Sequence, residues 1–266
     1  MSSFICFFIT LLINFDSCGF VPITGRRQLS LVSNSEMLSM GDQQYSEFLQ
    51  SNKVVPTNDR RTVMVKTVGR NIQSAVEIYF RQNNLSLSGY KWEFNLVDSK
   101  DVNAWCMPGG KVVVYTGILP VTINDVGLAV VIAHEISHAV AGHGEERISQ
   151  QLLAQLGSAA LSEALSKKPE ETKQLWMNVF GAGVQYGALL PYSRLQENEA
   201  DHLGLIFMAM AGYDPNEALI FWQRMAQQNQ GQAPPEFMST HPSDETRIAK
   251  IRKEIPEALQ YYKKQK

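Results

Sequence analysis

Apolar residues recur at helical intervals through most of the chain. They do so between residues 34 and 50, again from about residue 59 to residue 82, and from Asn124 almost to the end. Spacing of three and four residues puts such side chains on one face of a helix. Glycine and proline interrupt the last stretch near positions 142, 167–169, 191, 212–215 and 231–235. The pattern predicts a mainly helical protein whose helices are separated at these points.

A short stretch in the middle of the chain has a two-residue repeat instead. Trp92, Phe94 and Leu96 alternate with polar residues, which is typical of a half-buried strand. Two further β-prone runs, residues 103–107 and 111–116, flank a Pro-Gly-Gly turn. We therefore predict an α+β fold that is mainly helical and contains one small sheet of about three strands.

The first eighteen residues differ from the rest of the chain. Residues 4–15 read FICFFITLLINF, a run with only two polar residues, and Cys18 follows soon after. The run is too short to cross a bilayer, which needs about 20 apolar residues, but it suits a secretory signal. We expect residues 1–18 to be a signal and residues 19–266 to be one exported domain. Its membrane attachment would be a lipid at Cys18 or the apolar segment itself, and a plain signal peptide is the alternative.

Composition and charge narrow the range of partners. The chain has 24 Lys and Arg against 26 Asp and Glu, a net charge of -2. No excess of basic residues exists to neutralise a phosphate backbone, so we expect no nucleic-acid partner. Cys6 and Cys18 lie in the first eighteen residues, which leaves only Cys106 in the body of the chain. We therefore expect no internal disulfide, and Cys106 to be a packed thiol.

A metal-binding pattern lies in the segment NDVGLAVVIAHEISHAVAG, residues 124–142, where HEISH occupies residues 134–138. The four-residue spacing puts His134 and His138 one turn apart on one helix face, where both imidazoles can bind one metal ion. Glu135 projects beside them, in a position to contact a metal-bound water. The surrounding residues are apolar nearly all round the helix, so it should be buried. A zinc ion would compensate for burying two histidines and a glutamate.

A catalytic zinc ion needs a third protein ligand and one open position. The best candidate is Glu197, in an amphipathic helix predicted from residue 193 to about residue 211. Asp201 lies one turn further on the same face, where it can accept the free N–H of a histidine ligand and fix the orientation of that ring. A charged, solvated helix face is the other interpretation of this pair.

Two nearby residues are predicted to lie away from the metal. On a continued helix His143 would lie about 180° from His134, so we expect it at the surface or at a helix end. Glu199 would lie about 160° from Glu197, so we expect it in solvent. Both are left outside the predicted metal site.

Several motifs together resemble the gluzincin zinc metallopeptidases, the family that includes HtpX, BepA, LoiP, the Oma peptidases and the prenyl-protein CAAX proteases. The resemblance implies a zincin-like single catalytic domain, with the small sheet beside the HExxH helix. One motif, near the start of the chain, is typical of exported lipoprotein members. The motifs are VPITGRRQ at 21–28, Asn103-Ala104, Pro108-Gly109-Gly110, HEISH at 134–138, ENEAD at 197–201, and STHP at 239–242 with Arg247.

The resemblance also implies roles for individual residues. One Zn²⁺ per chain would be bound by His134, His138 and Glu197, with Glu135 as the catalytic acid and base and Asp201 supporting a ligand. The expected reaction is hydrolysis of a peptide bond by a water molecule that zinc activates. Glu135 would take a proton from that water and deliver it to the leaving nitrogen.

Three further residues receive roles from the resemblance alone. His241 would face the metal with Arg247 near it, and Asn103 would lie on the substrate side. Two roles for His241 remain open at this point. It can be a catalytic hydrogen-bond donor to the tetrahedral oxyanion, or a fourth zinc ligand that holds the enzyme idle until displaced.

The substrate is expected to lie extended along the strand at residues 111–116, which we predict to have a free edge. Val113 and Tyr115 would then be substrate-binding residues. Residues 227–235 are predicted to be a passive linker, and a mobile cover over the cleft is the alternative. Because binding at a strand edge reads the backbone more than side chains, it suits a protease of unfolded or misassembled proteins.

The resemblance likewise implies protein quality control in the bacterial cell envelope, by a membrane-anchored enzyme facing the periplasm. The competing hypothesis is a zinc-stabilised, chaperone-like assembly factor with little proteolytic turnover. An intact Glu135 disfavours it, because a closed structural metal site has no use for a base.

Overall fold

The computed structural model describes residues 18–21, 23–164, 190–228 and 245–262, with the single residues 166, 174, 237 and 241. Three sequence predictions lie wholly or largely outside the described residues. These are the signal segment, the linker or cover at 227–235, and the motif at 239–242 apart from His241.

The strands form two small sheets. A hairpin of β1 (Cys18–Phe20) and β2 (Arg27–Leu29) is antiparallel and was not predicted from the sequence pattern. The second sheet contains β3 (Glu93–Val97), β4 (Ala104–Met107) and β5 (Lys111–Tyr115) in the order β3-β5-β4. β3 runs parallel to β5, and β4 runs antiparallel to it. The prediction of a sheet of three strands in the middle of the chain is confirmed.

The described helices confirm the prediction of a mainly helical α+β fold, and polar caps begin several of them. Ser33 accepts a hydrogen bond from the backbone of Glu36, and Asp59 does the same for Arg61, as helix-starting residues commonly do. The bounds are α1 Asn34–Ser51, α2 Arg60–Gln82, α3 Leu119–Thr122 after a 3₁₀ turn at Thr116–Ile118, α4 Asp125–Val140, α5 His143–Ala164, α6 Leu190–Met210, α7 Glu217–Gln228 and α8 Glu245–Tyr261.

The helix with the HExxH pattern, α4, lies at the centre of the core. It packs against α2, α6, α7 and the strand β4. Its apolar residues are buried on all sides, among them Leu128, Ile132 and Ile136, which are fully inaccessible. A helix that is apolar all round has no solvent face, so it occupies the core as predicted. The polar residues of the motif are therefore held rigidly inside the protein.

The predicted free edge at residues 111–116 is wrong. β5 is the central strand, bonded to β3 on one side and to β4 on the other. Val113 is fully buried, and the ring of Tyr115 stacks on Phe48 with the centroids 6.1 Å apart. The two β-prone runs were correctly located, but strand order depends on long-range packing that a local pattern does not contain. Val113 and Tyr115 therefore do not line a substrate groove.

Gly142 separates α4 from α5 and turns the chain. Its φ of +72° is a left-handed conformation that glycine adopts without steric cost, and it ends α4.

No single helix of the described residues is both long enough and apolar enough to cross a bilayer. The segments Asp125–Val140 and His143–Glu163, bent by 52°, meet that requirement only as a pair and only by length and composition.

Candidate metal centre

The helix α4 presents the two histidines of the HExxH pattern toward one point. Asn124 begins the helix by accepting hydrogen bonds from the backbone N–H groups of Val126 and Gly127, each at 3.0 Å. Further along, Nε2 of His138 lies 3.1 Å from Nε2 of His134. Two ring nitrogens that converge in this way suit two ligands of one cation.

The helix α6 brings a carboxylate onto the histidine pair. Gly204 permits the close approach of the two helices, because a Cβ at that position would lie 3.2 Å from the backbone nitrogen of His134. Glu197 then lies with Oε2 3.4 Å from Nε2 of His134 and with Oε1 3.3 Å from Nε2 of His138. The structure thus brings together the three residues predicted as metal ligands.

A third imidazole completes the cluster. Nδ1 of His241 lies 3.0 Å from both carboxylate oxygens of Glu197 and 3.2 Å from Nε2 of His134. One atom from each of these residues and from His138 lies within 4.8 Å of the others. Three imidazole nitrogens and a carboxylate oxygen form a donor set that zinc prefers, and the cation would neutralise their converging lone pairs. The residues present therefore fit a zinc ion.

The predicted supporting residues lie directly behind the histidine His134. Oδ1 of Asp201 lies 3.0 Å from Nδ1 of His134, on the side of the ring away from the cluster. Arg247 donates to both oxygens of Asp201, and its guanidinium lies over the ring of Trp222 at 3.7 Å. Burial alone would raise the pKa of Asp201, but Arg247 and His134 outweigh it and lower the pKa to about 2. Asp201 is therefore ionised and suited to hold the ring.

Glu135 faces a cleft of about 320 Å³ that His138 and His241 also line. Its Oε1 makes no hydrogen bond to a described residue, although Nε2 of His241 lies 3.3 Å away. Burial raises the pKa of Glu135, because the charged form loses its hydration. A buried carboxylate with an unpaired oxygen at a cleft beside a metal site is suited to accept a proton.

The strand β4 forms one wall of this cleft, together with the residue before it. Asn103, Trp105 and Cys106 line the wall, so Asn103 lies at the cleft, and its contact with a substrate stays a prediction. The side-chain oxygen of Asn103 accepts a hydrogen bond from the backbone of Ala104 at 2.9 Å. Cys106 is a free thiol whose pKa is raised by burial, consistent with the packed thiol that we expected.

The expectation of a solvated Glu199 is wrong. His143 is the first residue of α5 and so lies at a helix end, one of the two positions expected for it, but it is buried and not at the surface. His143 is only 2% exposed and Glu199 only 7%, and the two side chains are 3.0 Å apart. The estimate for His143 assumed one continuous helix, whereas Gly142 redirects the chain. Glu199 does point away from Glu197, but that side of α6 is covered rather than solvated.

The loop between β1 and β2 covers this side of α6 and contacts it through ion pairs. Arg26 donates to Glu146 from Nη1 at 2.9 Å and from Nη2 at 2.8 Å, and to Glu199 from Nε at 2.9 Å. Gln196 donates to Glu146 at 2.8 Å. The sequence analysis did not predict this cluster. The motif VPITGRRQ, which contains Arg26, was the one sequence feature that pointed to this residue.

Comparison with known proteins agrees with this geometry. The model of peptidase family M48 matches residues 67–255. The chain is 35% identical to the mitochondrial metalloendopeptidase OMA1 of Schizosaccharomyces pombe, over 92% of this chain and 68% of that protein. It is 32% identical to human OMA1, over 90% of this chain and 46% of that protein. It is 26% identical to the β-barrel assembly-enhancing protease of Escherichia coli, over 89% and 47% respectively.

The family match covers most of the chain and contains every residue of the donor set. It also includes Glu135 and the supporting pair Asp201 and Arg247. The match begins after the β1–β2 hairpin. From the donor set, the cleft and these relatives together, we conclude that the chain belongs to peptidase family M48 and is a zinc metalloendopeptidase.

Proposed function

We propose that this peptidase cleaves unfolded or misassembled polypeptides in the cell envelope, as part of protein quality control. The observation that supports the proposal is the position of β4. Among the described residues β4 pairs only with β5, so its other edge is open, and it forms a wall of the cleft that contains Glu135. An open strand edge binds an extended polypeptide through main-chain hydrogen bonds, whatever its sequence.

The hydrogen-bonding pattern identifies which groups of β4 are available. The backbone N–H of Tyr115 donates to the carbonyl of Asn103, so this opposed pair is hydrogen-bonded. Antiparallel ladders alternate, so Trp105 and Met107 also point their backbone groups toward β5. The N–H and C=O of Cys106 therefore point toward the open edge. A folded substrate has its backbone groups already paired, whereas an unfolded one can bond to this edge.

The catalytic step follows from the residues around the cluster. Zinc bound there would polarise the scissile carbonyl and lower the pKa of water at the site. We assign to Glu135 the transfer of a proton from water to the leaving nitrogen, because its Oε1 bonds to none of the described residues and Glu135 lines the cleft. Of the four grouped residues we assign only His134, His138 and Glu197 to the metal, because a catalytic zinc ion needs an open position. We assign His241 to hydrogen-bond donation to the oxyanion of the tetrahedral intermediate, from the Nε2 that lies 3.3 Å from Oε1 of Glu135.

The membrane location is a separate part of the proposal. We propose attachment through a lipid at Cys18, because this cysteine follows the apolar run of residues 4–15 and is the first residue of β1. A cysteine at this position would hold the catalytic body close to the membrane through the hairpin. The variant Cys18→Ala should move the protein from the membrane to the soluble fraction, whereas Cys106→Ala should not. Membrane retention of Cys18→Ala would show that attachment does not depend on a lipid at that residue, as expected if the apolar segment is the anchor.

The substrate class is testable with one protein in two states. We expect the zinc-loaded enzyme to cleave reduced, carboxymethylated lysozyme and to leave native lysozyme intact, as followed by mass spectrometry of the products. A chelator should abolish cleavage. Equal cleavage of both states would contradict the preference for unfolded chains, and cleavage of neither would contradict the proposed activity on unfolded proteins.

A further inference from the structure

We propose that His143, Glu199 and Arg26 form a positioning relay for the metal ligand His138, which makes the β1–β2 hairpin a part of the zinc site. A continuous series of polar contacts connects the hairpin loop to the ring of His138. The proposal concerns the binding of the metal and does not depend on the substrate class.

The proton positions in this series follow from the metal site. Nε2 of His138 faces the donor cluster, 3.1 Å from Nε2 of His134, so zinc would occupy that nitrogen. Nδ1 of His138 then carries the ring proton. Nδ1 of His143 lies 2.8 Å away and accepts it, so His143 carries its own proton on Nε2. That N–H points to Oε2 of Glu199 at 3.0 Å, which is an ionised acceptor. With one tautomer for each of the two histidines, every contact in the series thus has one donor and one acceptor.

The far end of the series is held by the hairpin loop. Oε2 of Glu199 also accepts from Nε of Arg26 at 2.9 Å, and its Oε1 accepts from the hydroxyl of Thr24. The remaining guanidinium nitrogens of Arg26 donate to Glu146, which is 1% exposed. A guanidinium that donates from several nitrogens fixes the orientation of the carboxylates it contacts and also balances their charge. The loop therefore determines where Glu199 lies.

The two histidine ligands are supported from different parts of the chain. His134 is held by Asp201, which lies within the part that matches family M48. His138 is held through His143 by residues 24–26, which precede that part. Outer hydrogen bonds orient a ligand ring, and their loss typically weakens metal affinity by about 10- to 100-fold. Weakening the hairpin contact should therefore loosen zinc without removing any ligand.

The direct test is replacement of His143 in the full chain. His143→Leu removes the acceptor for the N–H of His138, and we expect zinc affinity to fall about 10- to 100-fold in competition with a chelator. His143→Asn retains an acceptor oxygen near the position of Nδ1, so its affinity should stay within a few-fold of wild type. The visible absorption spectrum of the Co²⁺-substituted protein should change for Leu and not for Asn. A loss of affinity as large for Asn as for Leu, or unchanged affinity and spectrum for Leu, would overturn the relay.

The part played by the hairpin has its own variant. Arg26→Lys keeps the charge but cannot bridge Glu146 and Glu199 with a fork, so zinc affinity should fall by several-fold. Ser30→Ala is the matched control, because Ser30 directly follows β2 and bonds to Glu145, outside the relay. If His143→Leu does not fold, the comparison of Arg26→Lys with Ser30→Ala tests the relay in its place. Equal affinities and spectra for Arg26→Lys and Ser30→Ala would refute the involvement of the hairpin.

Discussion

Arg247 donates two parallel hydrogen bonds to Asp201, from Nε at 2.7 Å and from Nη2 at 2.8 Å. Both side chains are buried, and Asp201 in turn lies 3.0 Å from Nδ1 of the ligand His134. The pair thus links α8 to α6 and to the metal site on α4. A planar fork matches a carboxylate in a way that an ammonium group does not.

The first prediction follows from this pairing. Arg247→Lys retains the charge but loses one of the two bonds and the contact with the ring of Trp222, so Asp201 is held less firmly. We expect zinc affinity to fall about 10- to 100-fold, measured by chelator competition. The exposed Arg252, on the same helix, provides the control substitution Arg252→Lys. Equal affinities of the two variants would show that Arg247 does not support the metal site.

Much of the site was predictable because its chemistry is local in sequence. The spacing of His134 and His138 on one helix face and of Glu197 and Asp201 on another depends only on helix geometry. Sequence alone did not define the relation between these two helices, and the family resemblance supplied it. His241 likewise lies in the cluster only because the tertiary fold brings it there.

The wrong predictions share a physical cause. Each assumed that a helix face or a strand edge without a known neighbour is free. The hairpin loop covers Glu199, which was expected in solvent. The order of strands in the sheet reversed the expectation for residues 111–116. Long-range packing decides both, and a local sequence pattern does not contain that information.

The second prediction concerns the contact between α4 and α6 at Gly204. A Cβ there would lie 3.2 Å from the backbone nitrogen of His134 and 3.3 Å from its Cα, which forces the helices apart. We expect Gly204→Ala to lose about 1–3 kcal/mol of packing energy, more than the gain of about 1 kcal/mol in helix propensity. Gly144→Ala, in α5, meets only Cε of Met37 at 3.9 Å and should stay within about 1 kcal/mol of wild type. Urea unfolding measures both, and equal stabilities would contradict the close helix contact.

The third prediction tests the open edge of β4. Cys106→Pro removes an N–H that points toward the cleft and leaves the ladder with β5 intact. One main-chain hydrogen bond contributes about 0.5–1.5 kcal/mol, so KM for an unfolded substrate should rise about two- to tenfold. Cys106→Ala keeps the N–H and should match wild type. Unchanged KM in a folded Cys106→Pro protein would place the substrate elsewhere in the cleft.

The fourth prediction concerns the pH dependence of stability. Burial alone would raise the pKa of Glu199, but hydrogen bonds from His143, Thr24 and Arg26 lower it from 4.5 to about 2 in the folded protein. A group whose pKa falls on folding stabilises the protein above its unfolded pKa, and that contribution is lost as the pH falls toward its folded pKa. Glu199→Gln should therefore be less stable than wild type at about pH 6, with a smaller difference at about pH 3. Urea unfolding at each pH measures the difference, and a constant difference would contradict the assigned ionisation.

The central claim is that one zinc ion is held by His134, His138 and Glu197, with Glu135 as the base beside it. The most direct measurement is the zinc content per folded chain of Glu135→Gln, with casein cleavage recorded on the same sample. The account predicts one zinc per chain, as in wild type, and no cleavage, whereas Glu197→Ala should lose the metal. Wild-type cleavage by zinc-loaded Glu135→Gln, or a folded wild-type protein that neither contains nor takes up a transition metal, would contradict it.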